Sequence, residues 1–351
     1  MSVLYVLAAF LITLPIAAKG FYVRKNLGGI VFCVALSIPA WYVGQKLPMI
    51  GGPVAGILIG ILASNLLGIH EALNPGIQAG SKKVLQMAIV LLGFQMNLNN
   101  LMILGPSAIA LIASVMVTSF LVARFVGTAA GVARNGKILV GVGSAICGGS
   151  AIAAAAPVIE ASDDEVASAI STIFLFNIIA ALVFPAMGRL AEMSDVRFGM
   201  WAGSAINDTS SVVAAGFSFS EAAGKTATVV KLIRTLMIIP VVFVLALLKT
   251  KNGPQDAGSH YRFDAKIFPW FVVGFLIACV VNSTNMLPSA ATSIWGQTGR
   301  FFIITAMVAI GCGANLKKLI KQGGRTVLLG FCCAVSVTLV SLFIQALLGI
   351  R

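Results

Sequence analysis

Polar residues along this chain come in short clusters between long apolar runs, and within the runs polar and apolar positions do not alternate. Continuous runs disfavour a transmembrane barrel, whose strands alternate lipid-facing and lumen-facing residues. They predict membrane-spanning helices of about 20 residues each. Apolar segments fall near 2–18, 27–44, 50–67, 84–104, 106–123, 138–159, 166–188, 199–216, 224–248, 267–282, 299–315 and 326–348. The first lacks a basic leading region and reads as an uncleaved helix, so 1–26 is expected to stand outside the repeated core.

Composition narrows the class further. Of 351 residues, 59% are apolar and 10% charged, against about 25% charged in soluble domains. The mean hydropathy of +1.00 agrees. The whole of 1–351 therefore reads as one integral membrane domain, an all-α polytopic protein, with no stretch left for a fused catalytic domain.

The net charge of +13 invites a nucleic-acid reading, but the placement of the cations refutes it. Loops at 19–26, 68–83, 124–137, 189–198, 249–266 and 316–325 hold most of the 24 Lys and Arg. The intervening loops hold only Lys46, Lys225, Arg300 and Arg351, together with the acidic cluster Glu160, Asp163, Asp164 and Glu165. Basic loops alternating with non-basic ones follow the positive-inside rule and put both termini outside. Six cysteines lie in apolar segments without a CxxC pair, and both histidines, His70 and His260, fall in loops. Neither a metal site nor a hydrolytic triad can be assembled, so no cofactor and no enzymatic activity are expected.

Two internal similarities stand out. Gly93–Leu101 (GFQMNLNNL) resembles Gly311–Leu319 (GCGANLKKL), on spans predicted to run in opposite directions. Inverted repeats with polar breaks in matching spans are a transporter signature, and Asn97 and Asn315 sit at those breaks. The second pair is GSAICGGSAIAAA (Gly143–Ala155) with GSAINDTSSVVAA (Gly203–Ala215). Gly148 and Gly149 are poor helix formers, which predicts a break with Ser150 as the N-cap of the next helix. Asn207, Asp208, Thr209 and Ser210 interrupt an otherwise apolar span in the same way. Half-helix N-termini inside a membrane present unpaired N–H groups and a positive dipole end, suited to an anion. Close packing of small residues is the competing explanation for GSAICGGSA.

Three charges fall well inside spans. Asp208 costs about 2.5–3.5 kcal/mol to insert and is functional by default. It can bind a coupling cation, carry a proton or pair with a buried base. Lys231 and Arg234 share a helix face, about 4.5 Å apart along the axis. Their predicted depths are about 10 and 15 Å. Lys231 can snorkel outward, whereas Arg234 is too deep and its forked donors suit an oxyanion. An Asp208–Arg234 ion pair that only joins helices is the bland alternative, and Asn177 is expected to hydrogen-bond between helices.

The run GSAICGGSAIAAAAPVIEA, then GSAINDTSSVVAAG, then KLIRTLMIIP resembles the YeiH-like sulfate-exporter family of bacterial inner-membrane proteins, from about Pro53 to the last span. The resemblance implies a multi-pass secondary transporter of the inner (plasma) membrane. Its fold would be similar to the cation–proton antiporter and bile-acid symporter group, with ten to twelve helices, inverted repeats and discontinuous crossing helices. Relatives often carry His-Glu where this chain has Asn207-Asp208, so the acid is kept and a titratable histidine is absent.

The expected activity is alternating-access transport of a small anion, sulfate or an organic sulfonate or carboxylate. The expected substrate-binding residues are Ser144, Cys147, Gly148, Gly149, Ser150, Ser204, Asn207, Thr209, Ser210, Lys231, Arg234, Asn97 and Asn315. Asp208 would couple Na⁺ or H⁺, and a homodimer in the bilayer is a candidate assembly. The alternative is a monovalent cation/proton antiporter in which Asp208 holds the ion.

Overall fold

Backbone groups in lipid must be satisfied within their own segment, and among the described residues helix is the only regular structure. The computed structural model describes residues 23–47, 51–96, 98–238, 240–241, 243–245, 270–284, 287–313 and 324–350. Five helices there are long and apolar enough to cross a membrane: Asn26–Lys46, Pro106–Ala129, Asp164–Leu190, Ala291–Gly313 and Gly324–Leu347. The expected span at 2–18, the loop at 249–266, Asn97 and Asn315 lie outside the described residues.

The chain divides into two units, each assembled from separate stretches. The first comprises Met1–Ile103, Val213–Lys225 and Trp270–Leu316. Its helices are α1 (Val23–Lys46), α2 (Gly52–Leu62), α3 (Asn74–Ala79), α4 (Leu85–Gly93), α12 (Trp270–Ser283) and α13 (Ser289–Gly313). A π turn at Gly80–Val84 joins α3 to α4. The centre of this unit is α13, most of which is buried.

Helices α2 and α13 meet along glycines spaced by four, Gly52, Gly56 and Gly60. A methyl built on Gly60 would lie 2.9 Å from the Gly311 Cα, and one on Gly56 would lie 3.1 Å from the Ile304 carbonyl oxygen. Small residues at this spacing let two backbones touch, which is how helices associate where apolar burial gives no advantage over lipid. At one end of the same unit, Glu221 Oε1 accepts both Lys225 Nζ at 2.9 Å and Arg300 Nη2 at 2.5 Å. Burial pushes the Glu221 carboxyl up, but Lys225 and Arg300 outweigh it and hold it below the usual carboxylate range.

The second unit comprises Leu104–Val212, Thr226–Pro269 and Lys317–Arg351. It draws on α5 (Leu98–Ala129), α6 (Arg134–Ala145), α7 (Gly149–Ile159), α8 (Asp163–Leu190), α9 (Asp195–Ala205), the first turn of α10 (Thr209–Phe219), most of α11 (Glu221–Leu236) and α14 (Gly324–Leu347). Leu139, Ile146, Ile152, Ile173, Leu329 and Cys333 belong to one buried apolar cluster that ties α6, α7, α8 and α14 together. Ser162 and Glu165 form a reciprocal capping box that starts α8. The indole of Trp201 stacks on Phe184 at 4.1 Å and donates to the Thr338 carbonyl, pinning α9 to α14.

The outer face of α14 carries Leu328, Phe331, Val335, Leu339 and Phe343, all exposed. A water-facing helix would put charge there, so this stripe faces lipid.

Several boundaries differ from those the sequence predicts. The helix over 98–129 runs unbroken through Pro106, so the break expected between segments 84–104 and 106–123 does not form. Proline there lacks only its own N–H, and neighbouring turns absorb the loss. The α13 helix begins at Ser289, well before the expected start at 299. The segments expected at 138–159 and 199–216 are each two shorter helices with an unwound turn between them, at 146–148 and 206–208.

Candidate functional site

Both unwound turns follow the same four residues, Gly-Ser-Ala-Ile. A helix end leaves carbonyls without intrahelical partners and carries about half a negative charge, and inside a membrane those carbonyls need donors. One side chain supplies them to both ends. Arg234, in the last turn of α11, is fully buried, with 0% exposure. Its Nε donates to the Ala145 carbonyl at 2.7 Å and its Nη2 to the Ser144 carbonyl, at the end of α6. Its Nη1 donates to the carbonyls of Ser204 at 2.6 Å and Ile206 at 3.1 Å, at the end of α9. The last N–H reaches Asn207 Oδ1 at 3.2 Å. A guanidinium has five N–H groups, and all five are used.

Lys231 repeats the pattern one turn away. It also has 0% exposure, and its Nζ donates to the Ile146 carbonyl at 2.6 Å and the Ile206 carbonyl at 3.3 Å. The outward snorkel that its predicted depth allows does not occur, because two bare carbonyls compete successfully with the interface for its charge.

The turns diverge after Ile146 and Ile206. Asp208 is the N-cap of α10. Its Oδ2 accepts the Ser210 amide at 3.0 Å, the Ser211 amide at 3.3 Å and the Ser210 hydroxyl. Among the described residues Asp208 makes no ion pair with Arg234, whose donors are all on carbonyl oxygens, so a cap stands where the alternative reading put a bridge. Gly148 stands at the matching position before α7, with φ 68° and ψ −126° and no side-chain cap. The sequence reading puts Ser150 at that cap. The structure places it in the first turn instead, because the positive φ needed to re-aim the chain is open without strain only to glycine.

Asn177, on α8, braces the second turn and lies beside the first. Its Oδ1 accepts the Asn207 amide at 3.1 Å and the Asp208 amide at 3.3 Å. A methyl built on Gly148 would lie 3.6 Å from its Nδ2. The expected interhelical role is there, but its consequence for the site is not legible in the sequence, because Asn177 lies about thirty residues from either turn.

Of the predicted site residues, the second unit brings together Ser144, Cys147, Gly148, Gly149, Asn207, Asp208, Ser210, Lys231 and Arg234 at or beside the two turns. Ser144 contributes its carbonyl. Ser204 also contributes a carbonyl, while its hydroxyl is tied to the Met200 carbonyl and, at 2.7 Å, to Ser341 Oγ. Cys147 is buried in the first turn, Ser150 is exposed and Thr209 is half-buried. A methyl built on Gly149 meets nothing within 4 Å. The described residues hold no cluster of His, Cys, Asp and Glu that could bind a metal.

This is an all-helical multi-pass membrane protein whose second unit is centred on a pair of interrupted helices. Residues 28–330 match the family described as Conserved hypothetical protein 698. A UPF0324 membrane protein of Fusobacterium nucleatum is 42% identical over 347 residues, covering 93% of this chain and 99% of its own length. A UPF0324 membrane protein of Streptococcus pyogenes serotype M18 is 44% identical over 334 residues, covering 93% and 98%. The relative in Streptococcus mutans is 40% identical over 337 residues, with the same coverage. The chain belongs to this family of bacterial membrane proteins.

Proposed function

We propose that the protein is a secondary transporter of a small anion, sulfate or an organic sulfonate or carboxylate, working by alternating access of the bundle that carries the two turns. One observation carries this reading: at the turns five main-chain carbonyls and two side-chain amide oxygens are engaged, while two side-chain amide nitrogens are not. The carbonyls of Ser144, Ala145, Ile146, Ser204 and Ile206 all accept from Arg234 or Lys231. The side-chain oxygens of Asn177 and Asn207 are occupied as well. The amide nitrogens of both asparagines have no partner among the described residues. A cation needs oxygens, and an oxyanion needs donors. The resemblance to the YeiH-like exporters points the same way.

The test is exchange in liposomes with labelled sulfate, taurine and Na⁺ under imposed pH gradients. Anion exchange retained by Asp208→Asn supports this reading, with Asp208 as a cap or coupling group. Na⁺/H⁺ exchange that Asp208→Asn abolishes, with no anion movement, would make the protein the cation antiporter instead.

A further inference from the structure

We infer that the turns receive an oxyanion bearing a single negative charge, held by the amide nitrogens of Asn177 and Asn207. This rests on the anion reading above and narrows its substrate class. The first ground is charge. Lys231 and Arg234 are the cations at the two turns and Asp208 the one carboxylate, so by formal count these side chains carry one positive charge in excess. The four helix ends cancel pairwise, two C-termini against two N-termini. A singly charged ligand closes the balance, whereas a doubly charged one leaves a negative charge unpaired in a medium that solvates it poorly.

The second ground is which donors remain. Arg234 has no N–H left for a ligand, so it is a positioning residue that shapes the turns. Asn177 Oδ1 is fixed by two backbone amides and Asn207 Oδ1 by Arg234 Nη2. These bonds set the orientation of both side chains and turn each nitrogen away from the fixed oxygen. Asn177 is 3% exposed and Asn207 4%, and neither unpartnered nitrogen is among the fully enclosed ones, so both remain open to a small ligand. Beside them Gly148 and Gly149 contribute no side chain, and the uncapped start of α7 adds its own N–H groups.

Methanesulfonate and sulfate share a sulfur–oxygen head and differ in charge, which makes them the discriminating pair. The purified full chain in liposomes at fixed neutral pH should exchange labelled methanesulfonate about tenfold faster than sulfate, or more. Asn177→Asp keeps the oxygen that accepts the Asn207 and Asp208 amides but removes both amide N–H groups. It should cut methanesulfonate exchange about a hundredfold without changing the elution profile of the solubilised protein, and Asn207→Asp should act alike. Sulfate exchange equal to or faster than methanesulfonate would overturn the single-charge inference and leave anion transport standing. Undiminished exchange by a folded Asn177→Asp would overturn the role of the amides. If the wild-type chain exchanges neither anion, the transport reading itself fails. Should Asn177→Asp not fold, the wild-type comparison of the two anions still decides the charge inference.

Discussion

The two interrupted helices begin alike and end differently. Up to Ile146 and Ile206 they share Gly-Ser-Ala-Ile, and their carbonyl ends are held by the same Arg234 and Lys231. Beyond that point one continues with Cys-Gly-Gly and the other with Asn-Asp-Thr. The second seals its next helix with its own carboxylate, and the first has a glycine with no side-chain cap at that position. Shared residues thus build the junction, and the divergent ones decide which N-terminus is open to a ligand.

The sharpest way to break this comparison is to remove what the turns share. Arg234→Met orphans carbonyls at both helix ends, and loss of a buried charged partner costs about 3–5 kcal/mol. Little folded protein should survive detergent extraction, and Arg234→Lys, with three donors instead of five, should fall between it and wild type. Normal thermal melting of Arg234→Met would show that the turns do not depend on it.

Removing what distinguishes the turns should cost less. Gly148→Ala forces a side chain into a positive-φ conformation and against Ile173 Cγ2 at 3.3 Å, a penalty of about 1–3 kcal/mol. Gly149→Ala meets no neighbour and should melt within about 0.5 kcal/mol of wild type, yet its methyl enters the space assigned to the ligand and should slow exchange. A Gly149→Ala protein with unaltered exchange would move the ligand away from α7. Asp208→Asn exchanges one good N-cap for another, so a melting change below about 1 kcal/mol is expected.

The smallest effect lies in the first unit. The folded pKa of Glu221 is depressed, so its contribution is fully present above the ordinary glutamate value of about 4.3 and is lost as pH falls through the lower folded value. Glu221→Gln should flatten the acid limb of a melting-versus-pH curve and leave the neutral region nearly unchanged. An unaltered acid limb would show that the carboxylate does not hold Arg300 and Lys225.

Much of this was legible in the chain. The paired Gly-Ser-Ala-Ile runs, the glycines at 148 and 149 and the cations at 231 and 234 announce interrupted helices and buried charge. The partners of those cations were not legible, because they are main-chain carbonyls, which every residue has and no sequence marks. Asp208 could have been read as a cap, since an aspartate followed by Thr-Ser-Ser is a strong helix start. Its cost in the membrane drew attention to ion binding instead. The glycines at 52, 56 and 60 also carried a packing signal, whose partner Gly311 lies about 250 residues away and emerges only from the fold.

Because a single guanidinium rivets two helix ends, neither interruption can shift without dragging its twin. Substitutions that retune selectivity must therefore fall on the tripeptides beyond the rivet or on Asn177, and the rivet itself offers selection almost no room for gradual change.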